Sequence, residues 1–175
     1  MVNEGFAERA EPKRRALVAY DTKYGNTKKI AEALQLGLKD VGLETACLNA
    51  MGLAIESLKE FDLIAVDAPT EKMTASKSIK EFLEKLENAN LSRKFGFAFD
   101  TRLPFPLSGS GAKFIEKELK NSGLEIIAPR ASATVVSHKD DEGGIRLKEG
   151  EEKRFEQIGR EVGTAFLARA EGIPA

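Results

Sequence analysis

Short apolar runs alternate with amphipathic stretches along most of the chain. The most apolar run, Ala-Leu-Val-Ala-Tyr at residues 16–20, is typical of a strand buried on both faces. Three further runs, at residues 44–49, 62–67 and 94–100, predict strands two to four. A fifth strand is predicted within 125–128 and 132–137, either as one strand interrupted near Pro129 or as a strand plus an edge hairpin arm.

Apolar positions at helical spacing follow the strands. In residues 26–41 they are Ile30, Leu34, Leu38 and Val41, which form one face of a helix. Four more helices are predicted, at residues 54–60, 76–87, 112–122 and 151–170. The spacing of Ser78 and Glu81 suggests a capping box in the third of the five helices. The acidic, glycine-rich residues 139–150 predict a solvated loop.

Five strands that alternate with helices through short connections imply a parallel sheet covered on both faces, a three-layer αβα sandwich of the α/β class. A length of 175 residues suits one domain. We expect that domain to span residues 16–170, with an N-terminal extension at 1–15 and a tail at 171–175.

Composition excludes several kinds of function. The 27 basic and 28 acidic residues give a net charge of −1, which disfavours nonspecific attraction to nucleic acid or to an anionic membrane. Cys47 and His138 are the single cysteine and histidine, so an internal disulfide and a cysteine- or histidine-cluster metal site are not expected. No stretch resembles a signal peptide or approaches the length of a membrane span, so we expect a cytoplasmic protein without membrane insertion.

Ligands of open parallel sheets bind beyond the carboxyl ends of the strands, which directs attention to the loops at residues 21–27, 68–74 and 101–111. The first loop has the chemistry of an anion cradle. A helix N-terminus supplies amide donors, Gly25 permits close approach, and Thr22, Asn26 and Thr27 add side-chain donors. The alternative is an ordinary capped turn, in which Asn26 and Thr27 only satisfy the helix end.

The segment Val-Ala-Tyr-Asp-Thr-Lys-Tyr-Gly-Asn-Thr at residues 18–27, continued by Ile30, Ala31 and Leu34, resembles the N-terminal signature of flavodoxins. Its Asp-Thr opening is especially similar to the flavodoxin modules of flavodiiron-type proteins. Pro69 and Thr70 after the third strand strengthen the likeness. The resemblance covers residues 16–170 and implies a flavodoxin-like five-stranded parallel sheet of order 2-1-3-4-5.

This resemblance implies noncovalent binding of FMN and electron transfer through the flavin, with no catalytic side chain and no metal. The implied phosphate-binding residues are Thr22, Lys23, Tyr24, Gly25, Asn26 and Thr27. The isoalloxazine ring would be lined by Pro69, Thr70 and Glu71. The pyrimidine end or the ribityl chain would be approached by Asp100, Thr101, Arg102 and Gly109. The implied partner is a redox protein or a small electron acceptor, and an electron carrier is favoured over an NAD(P)H-dependent reductase.

Several features depart from the family pattern. Many flavodoxins sandwich the flavin between Trp and Tyr, whereas this chain has no Trp and its two tyrosines, Tyr20 and Tyr24, belong to the first strand and loop. Phe105 or Met73 would then pack against the ring, and Arg102 would place positive charge near its pyrimidine end. The departures also suggest an alternative, a flavin-free flavodoxin-like interaction module.

A third hypothesis comes from polar residues at other strand ends. Asp21, Asp67, Thr101 and Lys139 are laid out as in a response-regulator receiver, which accepts a phosphoryl group on an aspartate. Receivers, however, carry two adjacent acids after the first strand, and here Asp21 stands alone. The simpler interpretation is that Asp67 and Asp100 cap loops or helices at the strand ends.

Overall fold

The structure is a computed structural model that describes residues 12–137 and 144–172, so the predictions for His138 and Lys139 lie outside the described residues. It is an α/β fold with a mostly parallel sheet between two layers of helices. The described strands are β1 (Arg15–Tyr20), β2 (Glu44–Asn49), β3 (Leu63–Glu71), β4 (Thr74–Ala75), β5 (Phe95–Arg102), β6 (Glu125–Ile126), β7 (Ala131–Ser137) and β8 (Ile145–Leu147). The described α-helices are α1 (Asn26–Asp40), α2 (Lys77–Leu86), α3 (Gly111–Asn121) and α4 (Glu151–Ala170).

The parallel core of the sheet has the order β2-β1-β3-β5-β7, which confirms the predicted order 2-1-3-4-5. The strand count is larger than predicted because short pieces are added at its margins. β8 pairs antiparallel with β7, and β4 folds back on β3 as a two-residue hairpin arm. β6 and β7 both pair in parallel with β5, so the fifth predicted strand is the interrupted one.

Alternation along the strands assigns each side chain to one of two helical layers. Ile64, Val66 and Ala68 of β3 pack into the core formed with α2 and α3. Leu63 and Ala65 pack into the second core, formed with α1 and α4. Successive residues at a strand end therefore serve opposite layers, which decides what each polar residue there can reach.

Three phenylalanines of β5 belong to the α1–α4 core. The rings of Phe97 and Phe99 stack with centroids 5.7 Å apart. Phe99 also contacts Phe155 of α4 at 5.7 Å, and Phe95 meets the edge of Phe166 at 5.4 Å. Aromatic contacts of this kind add roughly 0.5–1.5 kcal/mol beyond the area that they bury.

Helices α1 and α4 touch backbone to backbone at a pair of glycines. A Cβ on Gly37 would lie 2.0 Å from the carbonyl oxygen of Glu156, and one on Gly159 would lie 2.3 Å from that of Leu34. Neither distance is possible for real atoms, so only glycine permits this approach. The contact fixes the position of α1 against α4.

The short helix predicted at residues 54–60 is present as a 3-10 helix at Ile55–Glu60. Two other local predictions are wrong. Helix α2 starts one residue after Ser76, whose hydroxyl donates to the carboxylate of Asp21 at 2.7 Å, so the Ser78–Glu81 capping box is not formed. Residues 139–150 are not wholly loop, because β8 forms within them.

Cys47 of β2, the single cysteine, is half-buried and free. Burial first, and the negative charge of Glu32 second, raise the pKa of its thiol to about 12. The thiol therefore stays protonated and unreactive at neutral pH. None of the helices in the described part of the chain is long and apolar enough to span a membrane.

Candidate functional site

A cavity of about 360 Å³ opens at the carboxyl ends of β1, β3 and β5, where the topology of the sheet predicts a ligand. Its size falls within the range of small-molecule and cofactor sites. Residues of all three predicted loops meet in its wall, together with residues of β7 and β8. The cavity is lined by Lys23, Tyr24, Asn26, Thr27, Pro69, Thr70, Glu71, Lys72, Thr101, Arg102, Leu103, Val135 and Ile145.

The N-terminus of α1 forms one wall of the cavity and is not capped by any side chain that the structure describes. Its N-cap is Gly25, at φ 84°, and no described side chain accepts from its first turn. That turn carries no acidic residue, and Lys28 and Lys29 follow at once. The amide groups of Asn26, Thr27 and Lys28 thus have no internal acceptor among the described residues. Such an end attracts an anion.

Three threonine hydroxyls stabilise this helix end. Thr22 accepts a hydrogen bond from the amide of Gly25 at 3.0 Å, which fixes the loop that leads into α1. Buried Thr27 and Thr101 share a hydrogen bond of 2.9 Å between their hydroxyl oxygens, which ties the first turn of α1 to the end of β5. Each hydroxyl has bonding capacity left for a ligand.

The side chain of Asn26 is used elsewhere. Its amide nitrogen donates to the carbonyl of Ile145 at 3.2 Å, so it joins α1 to β8. The side chain of Asn26 therefore does not cap α1, and the hydrogen that it donates to Ile145 is not available to a ligand. The backbone amide of Asn26 remains in the open first turn.

The second loop is a tight hairpin between β3 and β4. Glu71 pairs with Thr74, and both residues between them, Lys72 at φ 45° and Met73 at φ 71°, are left-handed. Positive φ at both central residues is the geometry of a type I′ turn, which usually takes Asn and Gly. Met73 in turn bridges to Gly109, so this hairpin is fastened to the third loop.

The third loop is closed at its base by Arg102, whose guanidinium donates to the carbonyl of Gly109 at 2.9 Å. The hydroxyl of Ser108 donates to the carbonyl of Leu103 at 3.0 Å and narrows the loop further. Residues 104–107 at the tip are exposed. Arg102 therefore holds the loop in place and also contributes its positive charge to the cavity wall.

Of the implied cofactor-binding residues, nine line the cavity and four do not: Thr22, Gly25, Asp100 and Gly109. Thr22, Gly25 and Gly109 shape the loops around it. Asp100 is fully buried on the α3 side of the sheet. Its carboxylate accepts from Thr70, from Ser110 and from the amide of Ala112, at 2.9–3.0 Å. In this structure Asp100 caps α3, as the simpler interpretation expects.

Sequence reasoning missed four lining residues: Lys72, Leu103, Val135 and Ile145. Lys72 and Leu103 stand within the predicted loops, beside neighbours with clearer chemistry. Val135 carries the alternation of a strand, which predicts its burial but not its contact with the cavity. Ile145 belongs to β8, a strand within residues for which the sequence predicts a loop.

Asp67 differs from Asp100 because its carboxyl is fully buried and neither oxygen has a hydrogen-bond partner among the described residues. Burial first, and the negative charge of Asp100 second, raise its pKa well above the usual carboxyl value. Sealed from solvent, it cannot meet a phosphoryl donor as a receiver aspartate must. Within residues 12–137 and 144–172, no group of three or more metal-ligating side chains occurs.

The comparisons with known proteins agree with the geometry. A family model described as a flavodoxin domain matches residues 17–103. A nitric oxide reductase of Moorella thermoacetica is 28% identical over 131 residues, which are 71% of this chain and 32% of that protein. The chain spans about a third of the length of the curated relatives that it matches.

Solved structures share the fold. An archaeal flavodoxin superposes with a TM-score of 0.71 at 21% identity, covering 87% of this chain and 99% of the flavodoxin. The rubredoxin:oxygen oxidoreductase of Desulfovibrio gigas superposes with a TM-score of 0.73 at 16% identity, covering 90% of this chain and 38% of that one. At these identities the likeness is one of fold.

Proposed function

Because the chain belongs to the flavodoxin-like family, we propose that it binds FMN noncovalently in the cavity at the carboxyl end of the sheet and transfers electrons through it. The observation that carries this proposal is the uncapped N-terminus of α1. Its first turn carries no acidic side chain, and phosphate is the group of FMN that such a helix end binds.

The donor set suits the phosphate. Backbone amides of Asn26, Thr27 and Lys28 would hold it, helped by the hydroxyl of Thr22 and by the Thr27–Thr101 pair. Neutral donors on a rigid turn bind a phosphate without the entropic cost of ordering long side chains. Lys23 at the rim adds an attractive charge.

The rest of the cavity suits a flat ring with polar edges. Apolar surface comes from Pro69, Leu103, Val135 and Ile145, while Thr70 and Arg102 offer polar groups. Exposed Phe105 and Met73 stand on the two loops beside the cavity, where they would pack against the ring in place of the missing Trp. When bound, FMN supplies the redox chemistry, and the residues of this chain bind it, exclude water from it and set its electrostatic surroundings.

The chain's own side chains favour electron transfer over catalysis. Among the described residues, the cavity lining contains no histidine or cysteine, and the cationic groups of Arg102 and Lys72 would favour the reduced, more negative flavin. We propose an electron carrier or electron-transfer module at residues 16–170 that exchanges electrons with a redox protein. The names of its relatives, a nitric oxide reductase and a rubredoxin:oxygen oxidoreductase, support a redox role.

The test is an absorbance spectrum of the purified protein, followed by fluorescence titration with FMN. We expect flavin absorbance on purification, or quenching of FMN fluorescence that saturates at one FMN per chain. A colourless protein that leaves excess FMN unquenched would refute the proposal and support the flavin-free interaction module. NAD(P)H oxidation by the loaded protein alone would refute the carrier assignment and favour a reductase.

A further inference from the structure

The loops beside the cavity expose three large apolar side chains. Leu107 is 84% exposed, Met73 63% and Phe105 62%, although soluble proteins rarely gather large apolar side chains on one surface. The three side chains share one region. Met73 bridges to Gly109, and Arg102 holds Gly109 at the base of the loop that carries Phe105 and Leu107.

Positive charge borders this apolar surface. Lys72 precedes Met73 in the hairpin turn, and Lys113 and Lys117 of α3 line one groove together with Met73 and Gly109. All three lysines are exposed, and none forms an ion pair within the described part of the chain. We name Met73, Phe105, Leu107, Lys72, Lys113 and Lys117 the docking patch.

Nearby acids do not neutralise the docking patch. Glu116, which lines the same groove, already pairs with Lys120 at 2.9 Å and with Arg130 at 3.6 Å. The hydrogen bond from Lys120 is the main cause that lowers the pKa of Glu116, so this acid stays ionised and engaged. Glu71 is the exposed acid of the hairpin, so its one negative charge compares with three positive charges on the lysines of the docking patch.

The opposite end of the sheet has the reverse arrangement. There Arg14 pairs with Asp62, and Arg15 pairs with both Glu44 and Glu60. Arg14 and Arg15 are thus paired with the chain's own carboxylates, whereas Lys72, Lys113 and Lys117 of the docking patch form no ion pair within the described residues. An excess of one charge around an exposed apolar centre is the arrangement that steers an oppositely charged protein to a defined orientation.

From these observations, and resting on the proposed function, we propose that the docking patch binds an acidic electron-carrier protein. Leu107 and Met73 form the apolar centre of the contact, and Lys72, Lys113 and Lys117 contact carboxylates around it. The overall charge of −1 does not oppose this, because association depends on the local field near the contact.

The experiment is calorimetric titration of the chain, with and without FMN, using an acidic plant-type [2Fe–2S] ferredoxin as the probe and basic cytochrome c as its counterpart. We expect ferredoxin to bind and cytochrome c not to bind. Raising the salt from about 0.01 to about 0.15 M shortens the screening length from about 30 to about 8 Å, so ferredoxin binding should weaken markedly.

Two triple variants of equal net charge test whether ferredoxin binds at the docking patch. Lys72→Glu, Lys113→Glu and Lys117→Glu together should weaken ferredoxin binding by roughly tenfold or more, because three rim attractions become repulsions. Lys39→Glu, Lys59→Glu and Lys85→Glu, at exposed positions near the other end of the sheet, should leave it within about twofold. Melting curves verify folding, and Lys→Gln versions replace any variant that does not fold.

The outcomes separate this proposal from the previous one. FMN binding without ferredoxin binding, or equal losses in the two triple variants, would overturn the docking proposal and leave the flavin proposal standing. Ferredoxin binding without FMN binding would support the docking proposal and refute the proposal that the chain binds FMN. Binding of NADPH in place of ferredoxin, lost in the docking-patch variant, would overturn docking in favour of an anionic dinucleotide.

Discussion

Helices α1 and α3 start at the same edge of the sheet, one on each face. The N-terminus of α3 is capped by side chains of the protein, and that of α1 is not capped by any described side chain. The hydroxyl of Ser110 caps α3 by accepting from the amide of Lys113, and the carboxylate of Asp100 accepts from Ala112. α1 starts at Gly25 with no side-chain cap and no acid in its first turn. The chain therefore satisfies one helix end itself and leaves the other for a ligand, and the cavity lies at the second.

The largest expected effect comes from giving α1 an acidic cap of its own. Gly25→Asp would place a carboxylate where we propose the phosphate. Repulsion between unit charges about 4 Å apart is about 4 kcal/mol at an effective dielectric constant near 20, so FMN affinity should fall at least roughly 100-fold. Fluorescence titration with FMN measures this loss of affinity.

Gly25→Asn is the matched control, with the same shape, the same positive φ and no charge. It should cost less than about tenfold in affinity, because Asn tolerates the left-handed conformation better than most residues. Equal losses for Asp and Asn would show that backbone strain, not charge, is responsible.

The reverse change removes Asp100, the acid of β5 that caps α3. Asp100→Ala leaves buried donors of Thr70, Ser110 and Ala112 without their acceptor, so the free energy of unfolding should fall by about 2–3 kcal/mol. Urea denaturation without ligand gives this value, and FMN titration of the folded variant should show less than about a threefold change in Kd. A large loss of FMN affinity in a stably folded Asp100→Ala protein would place Asp100 in the flavin site after all.

A smaller effect is expected at the hydroxyl pair behind α1. Thr27→Ala removes the bond between Thr27 and Thr101 and one potential phosphate donor, so FMN affinity should fall roughly tenfold, equivalent to about 1.4 kcal/mol. Thr27→Ser keeps the hydroxyl and should bind FMN nearly as the parent does. If Thr27→Ala binds FMN as tightly as the parent, the hydroxyl plays no part in the phosphate site.

The smallest effect concerns Asp67, the carboxyl on the α1 side of the sheet that caps nothing. Its pKa is raised by burial, so folding favours the protonated form. Its stabilising contribution is complete below the ordinary carboxyl pKa and is lost as the pH rises through the folded-state value. Asp67→Asn cannot ionise, so its free energy of unfolding should rise relative to that of the parent as the pH increases from about 4 upward.

Denaturation of both proteins across that pH range measures the difference. The difference between the two curves should become constant at low pH, where Asp67 is protonated in the folded and the unfolded chain, and should grow as the pH rises. A constant gap at every pH would mean that Asp67 does not titrate differently on folding.

The sequence predicted the layers and the strand order because the main elements carry strong periodicity. Residues 16–20 are continuously apolar, and α1 and α4 repeat apolar positions every third or fourth residue. β8 was not foreseeable, since Ile145 and Leu147 are its two apolar residues and both stand among charged neighbours. β8 forms by pairing with the edge of β7, and that strand edge exists only in the folded chain.

The candidate site was predictable as a set of loops but not residue by residue. Asp100 and Thr101 are adjacent in sequence, yet alternation sends the first toward α3 and the second toward α1 and the cavity. The spacing of Phe95, Phe97 and Phe99 already assigns Asp100 to the face opposite α1. The link from Asn26 to Ile145 joins residues 119 positions apart, and no local pattern reveals it.

The comparison of α1 with α3 is tested most directly by titrating the protein with FMN and with riboflavin, which differ only in the phosphate. If the uncapped end of α1 binds the phosphate, FMN should bind at least roughly 100-fold more tightly than riboflavin, and Gly25→Asp should bring the two affinities close together. Equal affinity of the parent protein for the two flavins would contradict the account, because α1 would then contribute nothing that depends on the phosphate.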